Sequence, residues 1–193
     1  MNVLTEKKVV YFDEIKEANT ELTLRAAKKR ADELGIKDII VATTRGGTAL
    51  KALDHFKGGY NVILVTHSAG FKEPGKIEMS DETRKEIVAK GGRVLTTLHA
   101  FAGVDRAINR KFNTLGSSEL VAHVLRLFGQ GMKVCVETVY MAADSGMLTM
   151  DRDVVSIAGT GKGCDTAVVV KPAHLSDMFD LYVKEIICKP TTR

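Results

Sequence analysis

The sequence predicts a three-layer α/β/α domain built on a mostly parallel sheet that ends in an antiparallel hairpin. Three observations carry that expectation. Short apolar runs rich in β-branched residues alternate with segments of helical period, glycines close the helical segments, and two late apolar runs are joined too closely for a crossover helix.

Residues 9–12 are a short apolar run suited to a buried first strand. Asn19 and Thr20 then precede Glu21, and short polar side chains there can accept from the free amides of a helix's first turn. Leu22, Ala26, Ala27, Ala31 and Leu34 recur at helical spacing, and Gly35 stands where a C-cap glycine belongs. Residues 38–43 (DIIVAT) form the next strand, and TRGGT turns the chain into a short helix over 49–56. Residues 61–66 (NVILVT) are another buried strand, followed by a polar, glycine-bearing loop to Gly75. Ser80 opens a helix through 84–89, closed by Gly91 and Gly92, and 94–98 add a further strand. Alternating units this short imply parallel pairing by right-handed crossovers.

The middle of the chain departs from that rhythm. About two turns of helix near 104–111 lead to a second helix opened by Ser117, Ser118 and Glu119 and running to Phe128. Met132, Cys135, Val136, Val139, Tyr140 and Ala143 fall on one helical face, Lys133 and Glu137 form an i,i+4 pair, and Gly146 ends the segment. Residues 153–158, 166–171 and 181–188 read as strands, the first two as an antiparallel hairpin. No repeat, low-complexity tract or linker divides residues 1–193, so one domain is expected.

Composition excludes several classes. Hydrophobic residues at 45% and charged residues at 27% are ordinary globular values, against disorder or a coiled coil. The net charge of +4 is spread among neighbouring acids, and aromatics are scarce, which argues against nucleic acid as a partner. Cys135, Cys164 and Cys188 form neither a disulfide framework nor a CxxC pair. The N-terminus lacks a signal peptide's apolar core and no run approaches a membrane span, so a reducing cytoplasm is the expected compartment.

Chemistry in such a sheet gathers beyond the carboxyl ends of the strands. Thr43, Thr44, Arg45, Gly46, Gly47 and Thr48 fall there: glycines allow close backbone approach, hydroxyls and a guanidinium donate, and the following helix adds its positive end. That combination suits a phosphate, although a tight βα turn has the same composition, and neither GxGxxG nor GxxxxGK[ST] is present. Residues 159–163 (GTGKG) could close over an anion or form an ordinary hairpin loop; two loops facing one pocket would favour the anion. His67, Ser68 and Gly70 occupy the same rim as the Thr43 turn, where His67 reads equally as a ligand or proton-transfer residue and as a surface histidine without function. His99 has the same two readings, His55 and His123 read as structural, His174 stays open, and none has zinc-like spacing. Cys164 beside Asp165 invites a nucleophile reading, but nothing in the sequence places a base against it, and a buried thiol is preferred. Asp144 lies at a helix C-terminus, where the dipole disfavours a carboxylate, so a basic partner, a ligand or simple solvation must hold it.

The segments IIVATTRGGTALKAL, NVILVTHS and DRDVVSIAGTGKGCDTAVVV, in that order, resemble the C-terminal domain of pyruvate kinase. NTELTL, KVCVE, MAADSG and DTAVVVKPAH resemble more closely the stand-alone pyruvate kinase α/β domain-like proteins of archaea and bacteria. In many pyruvate kinases the two glycine loops hold the phosphates of a sugar bisphosphate activator, while catalysis resides in a separate barrel for which this chain has no room. The resemblance therefore implies the fold without pyruvate kinase activity. The stand-alone family is associated with bound FMN. By resemblance the flavin phosphate falls at Thr43–Thr48 with Asn19 assisting, the isoalloxazine lies toward His67, Ser68, Gly70 and Phe71, and Gly161, Lys162 and Gly163 form the other wall. Arg45 stands where the pyruvate kinase loop has a small or polar residue, which counts against a sugar bisphosphate. A non-catalytic sensor of a phosphorylated metabolite is the alternative; a hydrolase or transferase using His67 or Cys164 would require a suitable partner in a shared pocket. The expected partner is a phosphorylated small molecule or flavin, with no nucleic acid or membrane, and homo-oligomerisation is left open.

Overall fold

The structure, a computed structural model, describes residues 6–192. In chain order its elements are β1 (Val10–Phe12), α1 (Asn19–Leu34), β2 (Asp38–Ala42), α2 (Gly47–His55), β3 (Asn61–Val65), α3 (Asp81–Ala89) and β4 (Arg93–Leu95). They continue with α4 (Val104–Phe112), α5 (Ser117–Leu125), a 3₁₀ turn (Arg126–Phe128), α6 (Gln130–Asp144), β5 (Val154–Ala158), β6 (Thr166–Lys171), a second 3₁₀ segment (Leu175–Asp180) and β7 (Tyr182–Pro190).

The strands form one sheet in the order β1-β7-β6-β5-β2-β3-β4. β5, β2, β3 and β4 run parallel, β5–β6 and β6–β7 pair antiparallel, and β1 closes the edge parallel to β7. Alternation along each strand feeds two cores. Ile39, Val41, Val62, Leu64, Val155 and Ile157 face α1, α2 and α3, where they meet Leu24, Ala27, Ala52, Leu53 and Ile87. Ile40, Ile63, Val65, Val154 and Val168 face α6, meeting Met132, Cys135, Val136, Val139 and Tyr140. The result is the expected three-layer arrangement.

Several local expectations change. The first strand lies at the sheet edge with Val10 and Tyr11 exposed, so only Phe12 is buried. α1 begins without a side-chain cap, because Asn19 and Thr20 lie inside the helix and their side chains bond elsewhere. The helix foreseen to Phe128 stops at Leu125 and tightens into the 3₁₀ turn. The helix expected near 104–111 is present as α4, and it buries none of its residues, leaving Val104 and Phe112 mostly exposed.

β7 is tied to α1 by one ionic link. Glu185 accepts from Arg30 through Nε (2.7 Å) and Nη2 (2.9 Å), and also pairs with Lys7. The Arg30 hydrogen bonds hold the Glu185 carboxyl down, from an ordinary 4.5 to about 2. A carboxyl whose folded pKa is depressed stabilises the fold above its unfolded value and loses that contribution as pH falls through the folded one. Glu185→Gln is therefore expected to cost about 1–2 kcal/mol at neutral pH and to flatten stability loss between pH 4.5 and about 2, as read by urea unfolding across that range. An unchanged acid limb would remove Glu185 from the acid response.

Candidate functional site

A cleft of about 770 Å³ opens beyond the carboxyl ends of β2 and β3. Its lining brings together the start of α1, the turn before α2, the loops after β3 and β4, Arg106 and Arg126, one face of α6 from Gln130 to Met141, and the loop between β5 and β6.

The turn before α2 is built for backbone exposure. Thr43 Oγ1 accepts from Gly46 N at 3.2 Å, closing a local turn directly after the buried strand. Gly46 then forms the N-cap of α2 at φ 100, with no side chain capping the helix. A Cβ at Gly46 would lie 2.3 Å from Thr83 Cγ2, so α3 packs where only glycine fits. The first-turn amides of α2 thus begin at the cleft wall formed by Gly47 and Thr48, with the positive end of the helix behind them.

The GTGKG loop faces the same cleft through Gly159, Gly161, Lys162 and Gly163. Asp165, itself buried, fastens it by accepting from Thr160 N (2.9 Å) and Thr166 Oγ1 (2.7 Å). Cys164 N donates to Thr20 Oγ1 at 3.1 Å, which pins the loop to the start of α1. Thr20 is thereby a cleft residue and a loop anchor, roles hidden by its expected use as a cap.

Of the residues singled out in the sequence, Thr43, Thr44, Arg45, Gly47, Thr48, His67, Phe71, Gly161, Lys162 and Gly163 line this cleft. Gly46 shapes it from behind. Asn19 is turned away, donating to Glu14 O at 2.7 Å, and Ser68 and Gly70 close the loop backbone through Phe71 N to Ser68 O and Gly70 N to Lys76 O without lining it.

Seven lysine and arginine side chains face the cleft against three glutamates, so its field favours anions. Glu78, invisible as a site residue in the polar loop sequence, gathers three of the cationic or proton-carrying groups. His67 Nδ1 lies 2.6 Å from its Oε2, while Lys72 Nζ (3.3 Å) and Arg45 Nη2 (3.9 Å) lie near Oε1. Oε1 is buried and receives no directed hydrogen bond among the described residues. The His67 hydrogen bond, opposed by burial, lowers the Glu78 carboxyl below its ordinary range. His67 stacks on Phe71 with centroids 3.9 Å apart at 26°, and His99 lies 5.5 Å from His67. Burial lowers the His99 pKa, favouring the neutral ring.

Lys133 and Glu137 are the larger surprise. The pair is buried, with side chains 7% and 4% exposed, yet both line the cleft. Glu137 accepts from Phe101 N at 3.1 Å as well as from Lys133. Burial lowers the Lys133 pKa despite the carboxylate beside it. A sequence signal existed: up to Asp144 these are the only charged residues in QGMKVCVETVYMAAD, and a helix apolar on nearly every side is a buried one.

The remaining candidates have other employment. Cys164 is buried, its thiol pushed up by burial and its Sγ directed to Thr20 O. Asp144 finds its basic partner in His174 Nδ1 (3.0 Å) and also accepts from Leu175 N, away from the cleft. His55 meets Glu21 at 2.9 Å. Among the described residues no group of three or more His, Cys, Asp or Glu side chains could hold a metal ion, and no helix is long and apolar enough to cross a membrane.

Compared with known proteins, residues 21–170 match a family model described as pyruvate kinase, alpha/beta domain. Among solved structures, a Cryptosporidium parvum pyruvate kinase is similar at 16% identity, with 83% of this chain covered and a TM-score of 0.42. A second pyruvate kinase structure from that organism matches at 14% identity over the same 83%, with a TM-score of 0.43. In both cases this chain spans 24% of the pyruvate kinase chain.

Proposed function

The chain belongs to the pyruvate kinase alpha/beta domain family, and from that premise and the cationic cleft we propose that it binds a phosphorylated cofactor, FMN, with the phosphate at residues 43–48. The observation that carries the reading is the uncapped N-terminus of α2, opening into a cleft where lysines and arginines outnumber carboxylates. Phosphates are bound at such helix starts by free amides and the helix dipole together. The residues fit the group: Thr43, Thr48 and Arg45 supply donors, the stacked His67 and Phe71 rings supply a planar aromatic wall, and Lys162 adds a cation from the opposite loop. The volume of about 770 Å³ suits a cofactor-sized ligand. A bound flavin would supply electron-transfer chemistry, while the chain's own residues bind and orient it.

Arg45 is the residue to remove. Its side chain is 71% exposed and makes only a 3.9 Å ion pair with Glu78, so folding should change by no more than about 0.5 kcal/mol. Arg45→Ala is expected to weaken FMN binding about tenfold through loss of a charge-assisted donor, measured by flavin fluorescence quenching. Equal affinity would take the phosphate away from this turn; a colourless protein with no saturable FMN binding would end the flavin reading.

A second reading, a sensor of a phosphorylated metabolite, is favoured by one observation: both glycine loops face the same cleft. A ligand that binds only the folded state raises apparent stability. Thermal stabilisation by sugar phosphates and not by FMN would select the sensor.

A further inference from the structure

We propose that Lys133 is the nucleophilic amine of the cleft and forms an imine with a phosphorylated aldehyde or ketone whose phosphate rests on the turn at residues 43–48. The inference rests on the phosphate-binding reading of that turn and not on the flavin.

Stability does not account for the Lys133–Glu137 pair. Replacing a buried ion pair by apolar side chains is often neutral or stabilising, and the rest of α6 up to Asp144 carries no charge. The pair instead lies where the helix reaches the cleft, and what remains exposed of Lys133 belongs to the cleft lining. An amine becomes a nucleophile when its proton is easily lost. The side chain is desolvated, lies 5.7 Å from the Phe101 ring centroid, and shares the cleft with Arg126 from the 3₁₀ turn and Arg106 from α4. Both arginines disfavour a third positive charge, whereas Glu137 on its own helix and the face of the Phe101 ring favour it. His99, from the loop after β4, lines the same cleft as the Glu137 carboxylate, and burial lowers its pKa.

The reaction balances without a further reagent. Glu137 accepts the proton that leaves the Lys133 ammonium, and the nitrogen lone pair attacks the carbonyl carbon as the C=O π pair moves to oxygen. That oxygen takes up one N–H proton by way of Glu137 to give a neutral carbinolamine. Protonated Glu137 then gives its proton to the hydroxyl, which leaves as water as the nitrogen lone pair forms the C=N bond, and the last N–H proton returns to Glu137, so amine plus carbonyl gives imine plus water. The phosphate turn holds the carbonyl compound in the same cleft, converting an encounter into a local reaction.

Pyridoxal 5′-phosphate, an aldehyde carrying a phosphate, is the probe. The whole protein is incubated with it, reduced with borohydride, digested and mapped by mass spectrometry. The expected result is a saturable adduct on Lys133, formed about tenfold faster than on exposed lysines, slowed by inorganic phosphate and reduced about tenfold with pyridoxal. A Lys133→Met/Glu137→Gln variant, which leaves no buried charge unpaired and keeps an acceptor for Phe101 N, should fold and lose the adduct. Label confined to exposed lysines or to Lys51, Lys72 or Lys162, or equal labelling by pyridoxal, overturns the proposal. An adduct on Lys133 without FMN binding keeps it and removes only the flavin; FMN binding with Lys133 unmodified sinks this inference alone.

Discussion

Glu137→Leu is expected to lower folding stability by about 3–5 kcal/mol, the usual cost of stripping one partner from a buried ion pair. The leucine fills similar space, so the loss is electrostatic. Lys133 would keep an ammonium in a site where its side chain is 7% exposed, and Phe101 N would lose its acceptor. Arg126 and Arg106, already unfavourable to that ammonium, would act on it without a counter-charge. The sign of the pH response follows. Burial already depresses the Lys133 pKa below its ordinary 10.5, and Glu137 is what opposes that fall, so the variant depresses it further. The unfolded chain then binds more protons than the folded one over a wider alkaline range, and stability rises with pH there. Urea unfolding from neutral to alkaline pH should show the deficit shrinking as pH approaches the ordinary lysine value. The paired Lys133→Met/Glu137→Gln change should recover most of the loss. A single variant as stable as the parent would mean that water reaches the pair freely.

How far the sequence revealed this site depends on the range of the interactions involved. Local signals served well: the β-branched runs placed β2, β3, β5 and β6 within a residue or two, and Ser80 does cap α3, accepting from Thr83 N at 3.2 Å. The two glycine loops were legible because turn chemistry is local. The roles of Thr20, Glu78 and Lys133 were not, because each is set by a partner far along the chain or by burial. Thr20 looks like a helix cap in isolation, but its hydroxyl is taken by Cys164 N, 144 residues away. Glu78 reads as one more acid in a polar loop until His67, Lys72 and Arg45 converge on it. Lys133 and Glu137 have the spacing of a solvated surface pair, and only the apolar character of the helix around them shows that solvent is excluded. The edge position of β1 was likewise beyond local reading, since it follows from parallel pairing with β7 at the other end of the chain.

Gly163→Ala should separate the fold's need for the GTGKG loop from the ligand's need for it. Gly163 has φ 71, and a Cβ there would lie 2.1 Å from Thr20 Oγ1 and 3.4 Å from Glu17 O. Left-handed backbone costs a non-glycine residue about 1 kcal/mol, and the overlap adds about 1–3 kcal/mol as packed atoms shift. The shift must come from Thr20 or from the loop, and either movement strains the Cys164 N to Thr20 Oγ1 hydrogen bond that holds the two together. Gly161→Ala is the control. It has φ 96 but no atom within 4 Å of the added Cβ, so it carries the backbone cost without the overlap. Gly163→Ala is thus expected to be the more destabilising of the two by about 1–3 kcal/mol in chemical unfolding. If Lys162 contributes to phosphate binding, Gly163→Ala should also weaken FMN about tenfold as the loop wall retreats, whereas Gly161→Ala should change affinity less. Equal stability of the two variants would show that Thr20 yields freely. Lost stability with unchanged FMN affinity would leave the phosphate to the Thr43–Thr48 turn alone, since the opposite wall could then move without the ligand responding.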